Sequence, residues 1–179
     1  MTLSRVGGRD DRGIDLRGSW LPPMAPAPAS PVTEPSSSSS SPPRQQLQPL
    51  PQRPEILVYV QCKVDRRCSG PQYMRELEGT LGNTATPETP PIGILASSVP
   101  CTPGSRGHML LSRMPLAYCC IAPYDRGGHL LQFLWNNEVA NLIGRGVGVT
   151  TRYICEDGDG GGEAIQKEAV LTVHGQIVG

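Results

Sequence analysis

The fold is decided by the stretch Ile56-Leu57-Val58-Tyr59-Val60-Gln61-Cys62-Lys63, read together with Gly13-Ile14-Asp15-Leu16. Its apolar first part predicts a strand that runs on into the polar end. A strand sends alternate side chains to opposite faces, so we expect Gln61 and Lys63 to project together and Cys62 to point into the packing. This geometry suits metal-assisted phosphodiester chemistry. A carboxylate and an oxygen donor from neighbouring strands hold a hard cation, and the lysine holds or deprotonates the attacking water.

The Gln-x-Lys spacing is common near strand ends, and alone it favours a polar strand end that faces solvent. Several blocks in order favour a site instead. They are Gly7 to Trp20, Val60 to Lys63, Gly70-Pro71, Arg75 to Gly79, Gly93 to Ser98, Ser112 to Leu116 and Leu134 to Asn136. Together they resemble the Mrr-like branch of the PD-(D/E)XK nuclease superfamily. More narrowly, they resemble the fungal mitochondrial family called required for respiratory growth protein 7.

The resemblance implies an α/β fold with a restriction-endonuclease-like mixed central sheet flanked by helices. It also implies a mitochondrial endonuclease that acts on DNA with Mg²⁺. Asp15 would be the essential metal-binding carboxylate, and Gln61 would offer a neutral oxygen ligand. Lys63 would orient or activate the nucleophilic water, and the backbone carbonyl of Cys62 would face the metal. Gln61 replaces the more usual glutamate, which weakens affinity for a hard cation, although the Mrr-like branch also uses glutamine here.

Charge restricts where a polyanion can bind. The chain has 16 basic and 16 acidic residues, so nucleic-acid binding requires local clusters. Asp11 lies just upstream of Asp15, so we expect it to support the metal ligands without binding the metal itself. Arg12 and Arg17 are candidate phosphate contacts, although arginines in a glycine-rich turn are more often solvated. The clustered basic residues near the proposed site are Arg5, Arg9, Arg12, Arg17, Lys63, Arg66 and Arg67.

The domain organisation follows from composition. Residues 22–54 form a Pro/Ser/Gln-rich insertion that cannot bury enough apolar surface to be ordered. The insertion replaces the hairpin connection between the Asp15 and Gln61 strands, which we expect to be neighbours. Residues 1–21 and 55–179 are therefore expected to form one domain. A spacer role for the insertion is favoured over a role as a Pro-rich ligand of a partner.

The amino terminus departs from the family pattern. Met1 to Val6 leave no room for the helix and strand that precede the Gly-Gly block in the family. They also lack the amphipathic leader of a mitochondrial presequence. Either the sequence is truncated or the protein lacks that layer, including its helix, and both readings weaken the case for activity.

The rest of the chain predicts one mixed sheet with helices packed on it. We expect a helix from Pro71 to Gly79 or Gly82, where Glu76 and Glu78 lie on the solvated side. Further expected helices begin near Thr102-Pro103 and at Asn136. The expected strands are Ile92 to Ala96, Leu116 to Ile121, Leu130 to Trp135, Val147 to Ile154 and an edge strand, Val170 to Val173.

Other classes of site are poorly supported. The six cysteines lack zinc-finger spacing and predict reduced, mostly buried thiols. His108, His129 and His174 have no partner with nucleophile-base spacing. The acidic run Glu156 to Glu163 favours a flexible surface turn over a calcium loop. No window approaches the roughly 18 apolar residues of a membrane span.

Two alternatives to an active nuclease remain. One is a catalytically inactive nucleic-acid-binding or structural protein of the same fold, whose metal site has been lost with the amino-terminal layer. The other is a protein-interaction factor needed for respiration, whose insertion carries the contacts. The sequence identifies no protein partner for it.

Overall fold

The computed structural model describes residues 1–6, 8, 13–23, 55–64, 70–84, 90–144, 146–157 and 163–178. The central sheet contains β1 (Thr2–Arg5), β2 (Leu16–Trp20), β3 (Ile56–Lys63), β4 (Ile92–Ser97), β5 (Leu116–Ile121) and β6 (Leu130–Trp135). The helices are α1 (Pro71–Gly82), α2 (Pro103–Leu111) and α3 (Asn137–Ile143), with a 3-10 turn at Tyr124–Arg126. A second sheet contains β7 (Val147–Asp157), β8 (Glu163–Val173) and β9 (Gln176–Ile177).

The central sheet is mixed and keeps its strands in sequence order. The strands β3, β4 and β5 are parallel, and the other neighbours are antiparallel. Lys63 pairs with Ser97, and Ser97 pairs with Cys120, so the carboxyl ends of the three parallel strands meet at one edge. The predicted α/β architecture, a mixed sheet flanked by helices, is confirmed.

Helices cover both faces of this sheet because its strands carry apolar side chains on both sides. On one face, Met74 and Leu77 of α1 pack with Leu95 of β4 in a core that also includes Met109 and Tyr118. The helix α1 contributes an apolar stripe at three- and four-residue spacing, as an amphipathic helix does. The first face therefore belongs to α1 and α2.

The opposite face is covered by α3. Val58 and Val60 of β3 pack there with Ile94, Val139 and Ile143. Alternate residues of β3 thus enter different cores, with Tyr59 packed on the α1 side. Buried strands with both faces covered read as continuous apolar runs, which explains the run at the start of β3.

Asn136 joins three elements. Its side chain is 2% exposed. Its Oδ1 accepts hydrogen bonds from the amides of Val139, at the start of α3, and Leu116, at the start of β5. Its Nδ2 donates to the carbonyl oxygens of Met109, Ser112 and Met114 at 2.7–3.3 Å. Asn136 therefore caps α3 from outside the helix and fixes the end of α2 against the sheet.

Two expectations about the strands are wrong. A strand does precede the glycine-rich turn, since β1 pairs with β2 from Thr2↔Ser19 to Arg5↔Leu16. The carboxyl-terminal strands do not extend the central sheet. They form the second sheet, in which β7 and β8 pair over eleven residues each. Val147 and Leu171 pack this sheet against the α3-side core.

Other predictions fall partly outside the described residues. Most of the insertion, residues 24–54, lies outside them, as do 158–162 of the acidic run. The ends of that run belong to β7 and β8. Among the described cysteines, only Cys120 is buried, so the expectation of mostly buried thiols is wrong. In the described part of the chain, no helix is both long and apolar enough to cross a membrane.

Candidate functional site at the carboxyl end of β3

Asp15 lies immediately before β2 and against the end of β3. Its backbone amide donates to the carbonyl of Val60 at 2.9 Å. Its carboxylate Oδ2 accepts a hydrogen bond from the backbone amide of Cys62 at 2.6 Å. The predicted pairing of the Asp15 and Gln61 strands is confirmed, with Leu16 opposite Val60. The structure therefore brings the Asp15 carboxylate against the segment from Gln61 to Lys63.

Gln61 is held in an almost closed space. The residue is 5% exposed, and its Oε1 atom has no hydrogen-bond partner among the described residues. Gly13 lies against the amide nitrogen, Nε2, of the Gln61 side chain. A Cβ atom added to Gly13 would lie 3.0 Å from Nε2 of Gln61, and the φ angle of Gly13 is +79°. A buried amide oxygen without a partner is unfavourable by about 1–3 kcal/mol, so this atom is suited to receive a ligand or cation.

The alternation of side chains predicted that Cys62 points into the packing, and this prediction is wrong. Its side chain is exposed, whereas that of Val60, on the same face, is 4% exposed. The layer that covers this face ends between the two residues. Partial desolvation, and secondarily the negative charge of Asp15, raise the pKa of the Cys62 thiol above its ordinary value. The thiol is therefore neutral at physiological pH.

The backbone of Cys62 faces Asp15. In a strand paired antiparallel, the N–H and C=O groups of one residue point to the same side. Because the Cys62 amide donates to Asp15, the Cys62 carbonyl is directed to the side of β3 on which Asp15 lies.

Lys63 is half-buried, and its ammonium lies over the ring of Tyr73 in α1, with Nζ 5.0 Å from the ring centroid. This cation–π contact holds the amine on the α1 side of the sheet. Gln61 lies on the same face, two residues earlier, so the expectation that the two project together is confirmed.

Arg17 is exposed and lies further along the same face. Its guanidinium carbon is 5.0 Å from the centroid of the Tyr59 ring. Asp11 and Arg12 lie outside the described residues, and so do Arg9, Arg66 and Arg67. Arg5 is exposed on β1. The described residues therefore place Asp15, Gln61, Cys62 and Lys63 at one sheet edge, with Arg17 beyond them.

Glu78 has a structural role that its position on α1 did not indicate. Its carboxylate accepts from Ser112 Oγ at 2.5 Å and lies 2.7 Å from Nε2 of His108. Glu78 thereby links α1 to His108 of α2 and to Ser112, the C-cap of α2. It lies more than one helical turn along α1 from Tyr73, which contacts Lys63.

A pocket at this edge was not predicted. It has a volume of about 380 Å³. Its lining residues are Cys62, Lys63, Val64, Ala96, Ser97, Ser98, Ile121, Ala122, Pro123 and Tyr124. The signal that points to it is the parallel order of β3, β4 and β5, because crevices form at the carboxyl ends of parallel strands.

The comparisons with known proteins support the narrower resemblance, the one to the required for respiratory growth protein 7 family. A family model described as required for respiratory growth protein 7 matches residues 1–144, which contain the central sheet and all three helices. A Schizosaccharomyces pombe protein, described as uncharacterized and mitochondrial, is 29% identical over 141 residues. The match covers 79% of this chain and 45% of the relative, so the chain spans about half the length of that relative. No solved structure matches the chain significantly. The predicted mitochondrial location is confirmed.

Proposed function

We propose that this chain, which belongs to the required for respiratory growth protein 7 family, is an endonuclease-like domain that hydrolyses DNA phosphodiester bonds with Mg²⁺. The family name connects it with respiratory growth, and the relative is mitochondrial. Maintenance of the mitochondrial genome is the role that joins these properties to hydrolysis of DNA. The finer assignment, to the Mrr-like branch and a restriction-endonuclease-like fold, belongs to the same proposal.

The observation that carries the proposal is the hydrogen bond between Asp15 and the Cys62 amide. It places a carboxylate from one strand against the end of the neighbouring strand, as a two-strand cation site requires. The donors available there are a carboxylate, the Gln61 amide oxygen and the Cys62 carbonyl. All are hard oxygen ligands, which Mg²⁺ prefers. The buried Oε1 of Gln61, which has no hydrogen-bond partner among the described residues, is the observation that fits an oxygen ligand of a cation.

Each residue then has a distinct role. Asp15, Gln61 and the Cys62 carbonyl would hold the metal, which when bound supplies positive charge to the reacting phosphate. Lys63, held beside Tyr73, would orient or deprotonate the attacking water. Arg17 would contact the phosphate backbone further along the strand, and Asp11 and Arg12 would assist from the glycine-rich turn. Phosphodiester cleavage builds negative charge, which these cationic groups stabilise.

Plasmid nicking in Mg²⁺ or Mn²⁺ tests the proposal. Asp15→Asn and Lys63→Ala should each lower the nicking rate by at least about 100-fold. Glu76→Gln on the exposed side of α1 and Lys167→Ala on β8 are matched controls, and both should nick like the wild type. Nicking at the wild-type rate in both Asp15→Asn and Lys63→Ala would exclude this mechanism.

One observation favours the second candidate, a catalytically inactive DNA-binding protein of the same fold. Gln61 is 5% exposed, so burial restricts the access of a hydrated cation to its oxygen. DNA binding that persists without any cleavage in the wild-type chain would support this candidate. Loss of both activities, with partner capture dependent on residues 22–54, would instead support the protein-interaction factor.

A further inference from the structure

The pocket at the carboxyl edge of the parallel strands adjoins the proposed site and shares Cys62 and Lys63 with it. Cys62 and Ala96 are register partners in β3 and β4, and both side chains lie on the face opposite Gln61. The volume of the pocket, about 380 Å³, lies in the range of small-molecule pockets, about 300–1,000 Å³.

Cys62 connects the pocket to the proposed site. Its backbone amide binds the Asp15 carboxylate, and the same residue lines the pocket. The pocket and the Asp15 carboxylate therefore adjoin through this one residue.

Tyr124 is the aromatic residue among the described residues that line the pocket. It begins the 3-10 turn after β5, and its side chain is 97% exposed. A tyrosine so exposed contributes little to the core. Exposed aromatic rings beside a binding groove are the platforms on which unpaired bases stack.

The charge of the lining suits the same ligand. Lys63 is the one charged residue among the described residues that line the pocket, and its ammonium is held over the Tyr73 ring on the α1 side. The neighbouring walls are apolar or carry hydroxyl groups, as at Ile121, Pro123 and Ser98. These walls suit the flat ring of a base, and the ammonium lies outside them, on the side where the phosphate is proposed.

We propose that the pocket holds an unpaired base of the DNA strand whose phosphate lies at Asp15 and Lys63, with the base stacked on Tyr124. The proposal rests on the proposed function and narrows its substrate class. A base inside a duplex reaches such a pocket only if it is flipped out of the stack, which costs a few kcal/mol that an unpaired base avoids. The substrate is therefore DNA with a single-stranded segment, such as a gap, flap or frayed end.

The test measures binding separately from cleavage. A short single-stranded oligonucleotide carrying one 2-aminopurine is titrated with the full chain in EDTA, and its fluorescence is recorded. Tyr124→Ala should weaken binding about 5- to 100-fold, and Tyr124→Phe should bind like the wild type. Tyr153→Ala, at an exposed tyrosine of β7, is the matched control and should have no effect.

A second readout follows the pocket itself. The single-stranded oligonucleotide should protect the Cys62 thiol from alkylation, while the exposed Cys155 thiol on β7 remains reactive. Duplex DNA of the same sequence should protect Cys62 much less. Equal binding by wild type and Tyr124→Ala, or equal protection by duplex and single strand, would overturn the proposal.

Nicking assays distinguish this failure from failure of the proposed function. If the wild type nicks DNA and Tyr124→Ala binds normally, the pocket assignment alone is wrong. If binding depends on Tyr124 but no metal supports nicking, the pocket assignment stands and hydrolysis is excluded.

Discussion

Oδ2 of Asp15 lies 2.6 Å from the backbone nitrogen of Cys62 and accepts its hydrogen. The side chain thereby takes the place of a backbone carbonyl at the point where β2 begins, and continues the ladder between β2 and β3. A carboxylate that accepts a backbone hydrogen bond is fixed in position without help from a cation. The geometry of the proposed site is therefore set by the sheet.

The first prediction concerns the Cys62 thiol. The negative charge of Asp15 disfavours the thiolate, and this effect adds to the larger one of desolvation. Asp15→Asn removes the charge and keeps an oxygen that can accept the amide hydrogen. The pKa of Cys62 should fall, so its alkylation by iodoacetamide should accelerate at a lower pH than in the wild type. Mass spectrometry of the Cys62 peptide measures this rate.

The exposed Cys155 thiol serves as an internal control, since its profile should not change between the two proteins. An unchanged Cys62 profile would show that the carboxylate does not act on this thiol.

The second prediction concerns Gln61. Gln61→Met keeps the size of the side chain and replaces the unpartnered Oε1 with a thioether, which binds Mg²⁺ poorly. Without metal, the variant should be as stable as the wild type or more stable by about 1 kcal/mol. Millimolar Mg²⁺ should raise the Tm of the wild type and leave that of Gln61→Met unchanged. Gln72→Met, on the exposed side of α1, is the control that should respond like the wild type. An equal rise in Tm for Gln61→Met would show that Gln61 is not a ligand.

The third prediction concerns the buried amide of Asn136. Asn136→Ala leaves the amides of Leu116 and Val139 and three carbonyl groups without this partner. The free energy of unfolding should fall by about 2–4 kcal/mol. Urea denaturation of this variant and of Asn137→Ala, at the exposed neighbouring position, measures the difference. Similar midpoints for the two variants would refute the bridging role.

The fourth prediction concerns the approach of α1 to β4. A Cβ atom on Gly93 would lie 2.4 Å from Cδ1 of Leu81. Gly93→Ala should therefore destabilise the protein by about 1–3 kcal/mol, as measured by denaturation. Adding Leu81→Ala should cost less in the Gly93→Ala background than alone, because the clash is relieved.

The matched control is Gly79→Ala within α1, where an added Cβ has no atom within 4 Å. This change should stabilise the protein by about 0.5–1 kcal/mol because alanine favours a helix. If Gly93→Ala has the same effect as Gly79→Ala, the close approach of α1 to β4 is not required.

The sequence predicted the elements whose signals are local. The apolar run of β3, the proline at the start of α1 and the Thr102 cap of α2 all lie where expected. The strand β1 was missed because all four of its residues are exposed, so no apolar alternation marks it. The second sheet was missed because a period-two pattern does not tell which sheet a strand joins.

The site was predicted only in part for a similar reason. Alternation correctly placed Gln61 and Lys63 on one face of β3. It could not show where the layer that packs on the other face, the α3 side, ends. Val60 is buried and Cys62 exposed because the layer on that face ends between them. The contact of Lys63 with Tyr73 and the pocket beside Tyr124 depend on segments distant in sequence, which periodicity cannot bring together.

The register between β2 and β3 separates the chemistry from the long connection. Trp20 pairs with Ile56, so the connection leaves and rejoins the sheet at the end of β3 remote from Gln61. At about 3.3 Å per residue, Ile56 and Gln61 are roughly 17 Å apart along β3. A fluorophore or tether attached at the β2 and β3 ends of this connection would therefore lie at the end of the sheet away from Asp15 and Lys63.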